Sequence, residues 1–97
     1  MKLTEERKEE VLALCKKLIS IRSYSGEEKG VADALKDFMK EKKFDQITTD
    51  KYGNVIGQIK GTKPGRKVLF DGHMDTVPAD NKEVWSSDPF VPGVEDG

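Results

Sequence analysis

One short run of apolar residues constrains the fold of this chain more than any other feature. Val68, Leu69 and Phe70 follow one another with no polar residue between them. In an extended strand, consecutive side chains point to opposite faces, so this run is apolar on both faces. Such runs are typical of a strand that is buried on both sides in the middle of a sheet. The sequence therefore predicts a central strand at residues 67–70.

Two amphipathic helices are predicted before that strand. Thr4 is the expected N-cap of the first helix, and Cys15 lies on its apolar stripe and is expected to be buried. Ser25 and Glu28 have the spacing of a capping box, which predicts a second helix that ends near Lys43. Each helix has one apolar face, so each is expected to pack on a sheet in an α/β domain. The apolar positions are Val11, Leu12, Leu14, Leu18 and Ile19 in the first helix and Val31, Leu35, Phe38 and Met39 in the second.

A hairpin is predicted between the second helix and the central strand. Residues 47–49 are rich in β-branched side chains, residues 52–54 have turn composition, and residues 55–59 are typical of a returning strand. Residues 78–97 show no periodicity, and their prolines and glycines predict an irregular loop. A structureless stretch of this length is unusual in a compact domain. It indicates either a functional loop or an incomplete fold.

Composition narrows the classes of function. The chain has 97 residues, 17 of them basic and 18 acidic, with a net charge of −1. This balance predicts no general attraction to nucleic acid or to anionic membranes. A single cysteine allows no intrachain disulfide, the N-terminus lacks the apolar core of a signal peptide, and no apolar run is long enough to span a membrane. A cytoplasmic protein is expected.

The end of the predicted central strand carries a candidate metal ligand. The strand runs into Asp71 and Gly72, which are followed by His73, the only histidine of the chain. In extended backbone, His73 and Asp75 share a face, as does Asp71. A metal-binding imidazole commonly donates its second N–H to a carboxylate, which fixes the tautomer and strengthens the ligand. The pattern therefore predicts His73 as a metal ligand and Asp75 as the carboxylate that orients it.

The same pair also has a simpler interpretation, because His-x-Asp often forms only a structural hydrogen bond. A complete zinc site needs three or four protein ligands. This chain has one histidine, and Cys15 is expected far away on a helix. The residue pattern alone supports half of a metal site, and both interpretations stay open.

Residues 68–78 resemble the first metal motif of the co-catalytic zinc peptidases and amidohydrolases. Their sequence is Val-Leu-Phe-Asp-Gly-His-Met-Asp-Thr-Val-Pro. The family includes glutamate carboxypeptidase, acetylornithine deacetylase, succinyl-diaminopimelate desuccinylase and aminoacylase. Residues 23–28 are similar to the segment that opens the family's second helix, residues 50–57 to its first hairpin, and residues 85–90 and 95–97 to the loop after the metal motif. The resemblance is closest to the branch labelled selenium-metabolism-linked hydrolase.

The resemblance implies a parent protein of several hundred residues. Residues 1–97 would be the incomplete N-terminal portion of its mixed-sheet catalytic domain, and the lid or dimerisation domain would be absent. It implies two zinc ions in the complete site, with cobalt or manganese as alternatives. His73 matches the terminal ligand of one zinc, and Asp75 matches the catalytic-site acid that orients it. In such enzymes the metals and a glutamate base activate water for attack on an amide carbonyl of a peptide or N-acyl amino acid. A homodimeric parent is expected.

Three interpretations of function follow. The first is a fragment of an amide hydrolase that is inactive alone, because the other ligands and the catalytic glutamate of the family are not among these residues. The second is a non-catalytic interaction module that has the same fold, binds no metal and pairs through an open sheet edge. The third is a degenerate relative that keeps the fold and has lost the metals.

Overall fold

Two helices, one hairpin and a short 3-10 turn form the regular structure of the described residues. The computed structural model describes residues 2–80 and 82–97. The two strands pair antiparallel, with Gln46 opposite Gln58 and Thr49 opposite Val55. The predicted order of two helices followed by a hairpin is confirmed. The elements are helix α1 (Glu5–Ser20), helix α2 (Lys29–Glu41), strand β1 (Gln46–Thr49), strand β2 (Val55–Gln58) and a 3-10 turn (Lys82–Val84).

Helix α1 begins as predicted, but its apolar stripe is not covered. The Thr4 hydroxyl accepts a hydrogen bond from the Arg7 amide at 3.2 Å, which caps the helix. No residue of α1 is buried, and Val11 and Ile19 remain half exposed. The prediction of a buried Cys15 is wrong, because this residue is exposed. The described residues form a two-stranded sheet, and α2 rather than α1 packs against it.

Helix α2 begins three residues later than predicted, because the capping box would make Ser25 the N-cap residue and Glu28 occupies that position instead. Glu28 is the N-cap residue and makes no side-chain cap. Its Oε1 accepts a hydrogen bond from the Gly26 amide at 2.8 Å instead. Gly26 has a φ of 86°, which glycine adopts at little cost, and the resulting turn brings its amide to the Glu28 carboxylate. The capping box between Ser25 and Glu28 is therefore not formed, although a helix follows as predicted.

A small core surrounds α2. The buried apolar residues of the described chain are Val31, Ala32 and Ala34, all on this helix. Strand β2 approaches α2 closely at Gly57, where an added Cβ would lie 2.6 Å from the Met39 Sδ. This contact agrees with the expectation that α2 packs on a sheet. A core of this size stabilises a fold only modestly.

The predicted central strand at residues 67–70 is not formed. The segment has neither strand conformation nor a bridge partner in the described structure. Val68, Leu69 and Phe70 are 76%, 87% and 91% exposed. A central strand needs neighbours on both sides to pair its amide and carbonyl groups, and the hairpin does not extend to this segment. The apolar side chains of residues 68–70, which the sequence pattern predicted to be buried in a core, therefore lie on the surface.

The last part of the chain is irregular, as predicted. Apart from the 3-10 turn at Lys82–Val84, residues 78–97 contain no regular structure where they are described; residue 81 of this loop lies outside the described range. Among the described helices, none combines the length and the apolar character needed to cross a membrane.

Asp50 closes the hairpin turn with three hydrogen bonds. Its Oδ1 accepts from the backbone amides of Tyr52 at 2.9 Å and Asn54 at 3.0 Å, and its Oδ2 accepts from the Asn54 side-chain amide at 2.8 Å. These donors favour the ionised carboxylate. The Asn54 side chain contributes most to lowering the pKa of Asp50 from its ordinary value.

We expect acidification to loosen the hairpin through this carboxylate. The pKa of Asp50 is lower in the folded chain than in the unfolded chain. Its contribution to stability is therefore present above the unfolded pKa and is lost as the pH falls through the folded pKa. The protection factor of the Gly53 amide, which is the intrinsic exchange rate at each pH divided by the measured rate, should fall in acid in the wild-type chain. In an Asp50→Asn variant, this protection factor should be lower at neutral pH and less dependent on pH. Asp88→Asn in the loop is the control, and an equal effect from it would contradict the assignment.

Candidate functional site

His73 and Asp75 lie together, as their spacing predicts. The Nδ1 of His73 is 2.8 Å from the Asp75 carbonyl oxygen and 3.1 Å from its carboxylate Oδ1. A carbonyl oxygen can only accept a hydrogen bond, so Nδ1 carries the proton. The neutral ring then presents the lone pair of Nε2. Metal-binding imidazoles commonly use this arrangement.

The pair is open to solvent. The His73 side chain is 84% exposed and that of Asp75 is 43% exposed. A polar contact as exposed as this one contributes little to fold stability. The contact therefore sets the orientation and tautomer of the ring more than it stabilises the chain, and it leaves the ring accessible to a ligand.

Backbone pairing holds the segment that carries Asp75. The Thr76 amide donates a hydrogen bond to the Ser23 carbonyl at 2.8 Å. Tyr24 and Thr76 form an isolated parallel bridge. The segment after the histidine is thus joined to the turn between α1 and α2. Sequence reasoning missed this pairing, because a single bridge between distant residues leaves no periodic signal in either segment.

A cavity of about 240 Å³ lies beside the His73 segment. Its walls combine apolar side chains from both helices with the backbone segment that carries the candidate ligand. Parts of the predicted apolar stripes therefore line the candidate site. The lining residues are Leu18, Ile19, Ser23, Val31, Leu35, His73, Met74, Asp75 and Thr76.

The donors fit one position of a metal site and do not complete it. No group of three histidine, cysteine or acidic side chains that could hold a metal occurs among residues 2–80 and 82–97. In the described structure Asp71 makes no hydrogen bond to the His73 ring, although extended backbone would place it on the same face. The structure brings together the predicted ligand and the predicted orienting carboxylate.

The chain is similar to several curated hydrolases. It is 43% identical over 67 residues to the LysW-lysine hydrolase of Deinococcus radiodurans, a region that covers 69% of this chain and 18% of that protein. It is 37% identical over 93 residues to the succinyl-diaminopimelate desuccinylase of Delftia acidovorans, which covers 89% of this chain and 24% of the enzyme. It is 31% identical over 104 residues to the N-formyl-4-amino-5-aminomethyl-2-methylpyrimidine deformylase of Bacillus subtilis, which covers 99% of this chain and 24% of the enzyme.

These similarities support a relationship with peptidases and amidohydrolases over the compared region. The chain spans about a fifth to a quarter of the length of these relatives. No family model matches the chain, and no solved structure matches it. The names of these relatives, a hydrolase, a desuccinylase and a deformylase, indicate hydrolysis of amide bonds by those proteins.

Proposed function

We propose that these 97 residues contribute to an enzyme that hydrolyses an amide bond in a peptide or an N-acyl amino acid. They supply one zinc ligand, His73, and its orienting carboxylate, Asp75. The observation that carries the proposal is the contact of the His73 Nδ1 with the backbone carbonyl oxygen and the carboxylate Oδ1 of Asp75, which directs Nε2 outward. The relatives named as desuccinylase, deformylase and lysine hydrolase support this reaction class.

The chain's own part in this reaction is to hold the imidazole. Asp75 accepts a hydrogen bond from the Nδ1–H of His73, which keeps the ring in one tautomer and makes Nε2 a stronger metal ligand. Imidazole suits zinc, and cobalt or manganese are the alternatives. A zinc ion held by His73 would supply Lewis acidity toward the amide carbonyl and would activate water. The complete site is proposed to hold two zinc ions, which would need ligands in addition to His73.

The proposed enzyme is cytoplasmic and acts on a small molecule or peptide. The near-neutral charge of the chain provides no general attraction to nucleic acid or to an anionic membrane. The complete enzyme is proposed to be a homodimer.

A second candidate is an interaction module that binds no metal. It is favoured by Val68, Leu69 and Phe70, whose contiguous exposure is typical of a surface that meets another protein segment.

Metal removal distinguishes the two functions. The intact protein that contains these residues is assayed against N-succinyl, N-formyl and N-acetyl amino acids, before and after treatment with a chelator. We expect hydrolysis of at least one substrate, its loss on chelation and its recovery when zinc is added, because the metal activates the water. Activity that persists in metal-free protein would contradict the proposal. A zinc-loaded protein that cleaves none of these amides would favour the interaction module.

A further inference from the structure

The turn between α1 and α2 holds the His73 segment at two points. Besides the bond from the Thr76 amide to the Ser23 carbonyl, the Ala79 amide donates to the Tyr24 hydroxyl at 3.4 Å. Ser23 is only 2% exposed, so its backbone is shielded from water that would compete for the bond to Thr76. The 3.4 Å bond is long and therefore weak. The shorter backbone bond is the stronger of the two.

Tyr24 is itself held by two neighbours. Its ring centroid lies 6.3 Å from that of Phe90, with the planes tilted by 54°, within the range of favourable aromatic pairs. The Arg22 guanidinium lies 5.1 Å from the Tyr24 ring centroid, close enough for a cation–π contact. One half-buried ring thus joins the turn, the His73 segment and the loop that contains Phe90.

We propose that Tyr24 is a positioning residue for His73, an inference that rests on the proposed role of His73 as a metal ligand. Packing of the Tyr24 ring fixes the turn, and the adjacent Ser23 carbonyl fixes Thr76. Thr76 follows Asp75 directly, so Asp75 is kept where its carbonyl oxygen and its carboxylate Oδ1 accept a hydrogen bond from the Nδ1–H of His73. Without this support the ring can exchange its proton between the two nitrogens. A neutral ring protonated at Nε2 no longer offers that nitrogen to a metal.

The tautomer of His73 provides a direct test that requires no metal. His73 is the only histidine, so the ¹⁵N NMR signals of its ring report this site alone when the ring is neutral. We expect the Nδ1–H tautomer in the wild-type chain and a mixture of tautomers in Tyr24→Leu, with exchange of the Thr76 amide at least about tenfold faster. Tyr24→Phe keeps the ring and loses only the weak hydroxyl contact, so it should retain the wild-type tautomer.

Tyr52→Leu is the matched control. Tyr52 is the other tyrosine of the chain and is 78% exposed at the hairpin turn. Equal tautomer populations and equal Thr76 exchange in Tyr24→Leu and Tyr52→Leu would overturn the inference. If loss of helical circular dichroism shows that Tyr24→Leu unfolds, Phe90→Ala weakens the support from the other side of the ring. An unchanged tautomer in folded Phe90→Ala would equally overturn it.

Zinc calorimetry on the intact protein separates this inference from the proposed function. Loss of a group that orients a metal ligand typically weakens affinity about 10–100-fold, so we expect at least about tenfold weaker zinc binding in Tyr24→Leu. Tyr24→Phe and Tyr52→Leu should bind as the wild type does. Wild-type zinc affinity in Tyr24→Leu would overturn the role of Tyr24. A shifted tautomer in Tyr24→Leu, together with no zinc binding by the wild type, would support the positioning of the ring and contradict the proposed function.

Discussion

Replacing His73 with alanine should remove zinc from one position of the proposed site and lower amide hydrolysis by more than about 100-fold. Even the loss of a group that only orients a metal ligand costs about 10–100-fold in affinity or activity, and His73→Ala removes the donor atom itself. Asp75→Asn keeps the size of the side chain and removes its charge, so it should cost about 10–100-fold. The measurements are kcat/KM and the zinc content of the intact protein.

Asp71→Asn is the matched control for this experiment. Asp71 and Asp75 lie on either side of His73, but the Nδ1 contacts are with Asp75. The control should retain wild-type activity and zinc content. Full activity with a normal zinc content in His73→Ala would exclude His73 as a ligand. Equal losses in Asp71→Asn and Asp75→Asn would exclude a specific orienting role for Asp75.

The second large effect, on self-association, is expected at the exposed apolar residues 68–70 next to the site. The 97-residue chain should self-associate as its concentration rises, because burial of a large apolar side chain contributes about 1.5–3 kcal/mol. Three such side chains are adjacent and exposed at Val68, Leu69 and Phe70. A double substitution, Val68→Lys with Leu69→Lys, should shift the chain toward monomer and leave its helical content unchanged. Sedimentation velocity over a range of concentrations measures the change.

The control for association is a second pair of exposed apolar residues outside this run. Val91 and Val94 are 64% and 54% exposed and are separated in sequence, so Val91→Lys with Val94→Lys should leave association unchanged. A wild-type chain that is monomeric at every concentration would contradict the prediction. Equal dissociation by both double substitutions would show that general charge, rather than this run, controls association.

Several features encoded by neighbouring residues were predictable from the sequence, although the predicted capping box between Ser25 and Glu28 is not formed. The Thr4 cap joins residues three apart, and the contact of His73 with Asp75 joins residues two apart. The hairpin is also local, because its turn is closed by Asp50 and Asn54. In each case backbone geometry and the chemistry of one or two side chains allow residues close in sequence to meet.

Features that depend on a distant partner were not predictable in the same way. Burial of Cys15 requires a surface opposite the α1 stripe, and a central strand at residues 67–70 requires strands on both sides. The sequence pattern shows that α1 and residues 67–70 could be buried, but it does not supply the surface that would bury them. Neither a surface over the α1 stripe nor strands beside residues 67–70 occur in the described structure. The hydrogen bond from the Thr76 amide to the Ser23 carbonyl shows the opposite. Here two segments that are distant in sequence pair, although neither has a sequence pattern that predicts the pairing.

The single bridge between Tyr24 and Thr76 also has a consequence for the order of events during folding. Closing the long loop between these residues costs chain entropy before any contact compensates for it, whereas α1, α2 and the hairpin need only local closures. During synthesis, α1 and α2 can form before residue 76 has been added. We therefore expect the contacts that hold the segment after His73 to form later in folding than the helices and the hairpin.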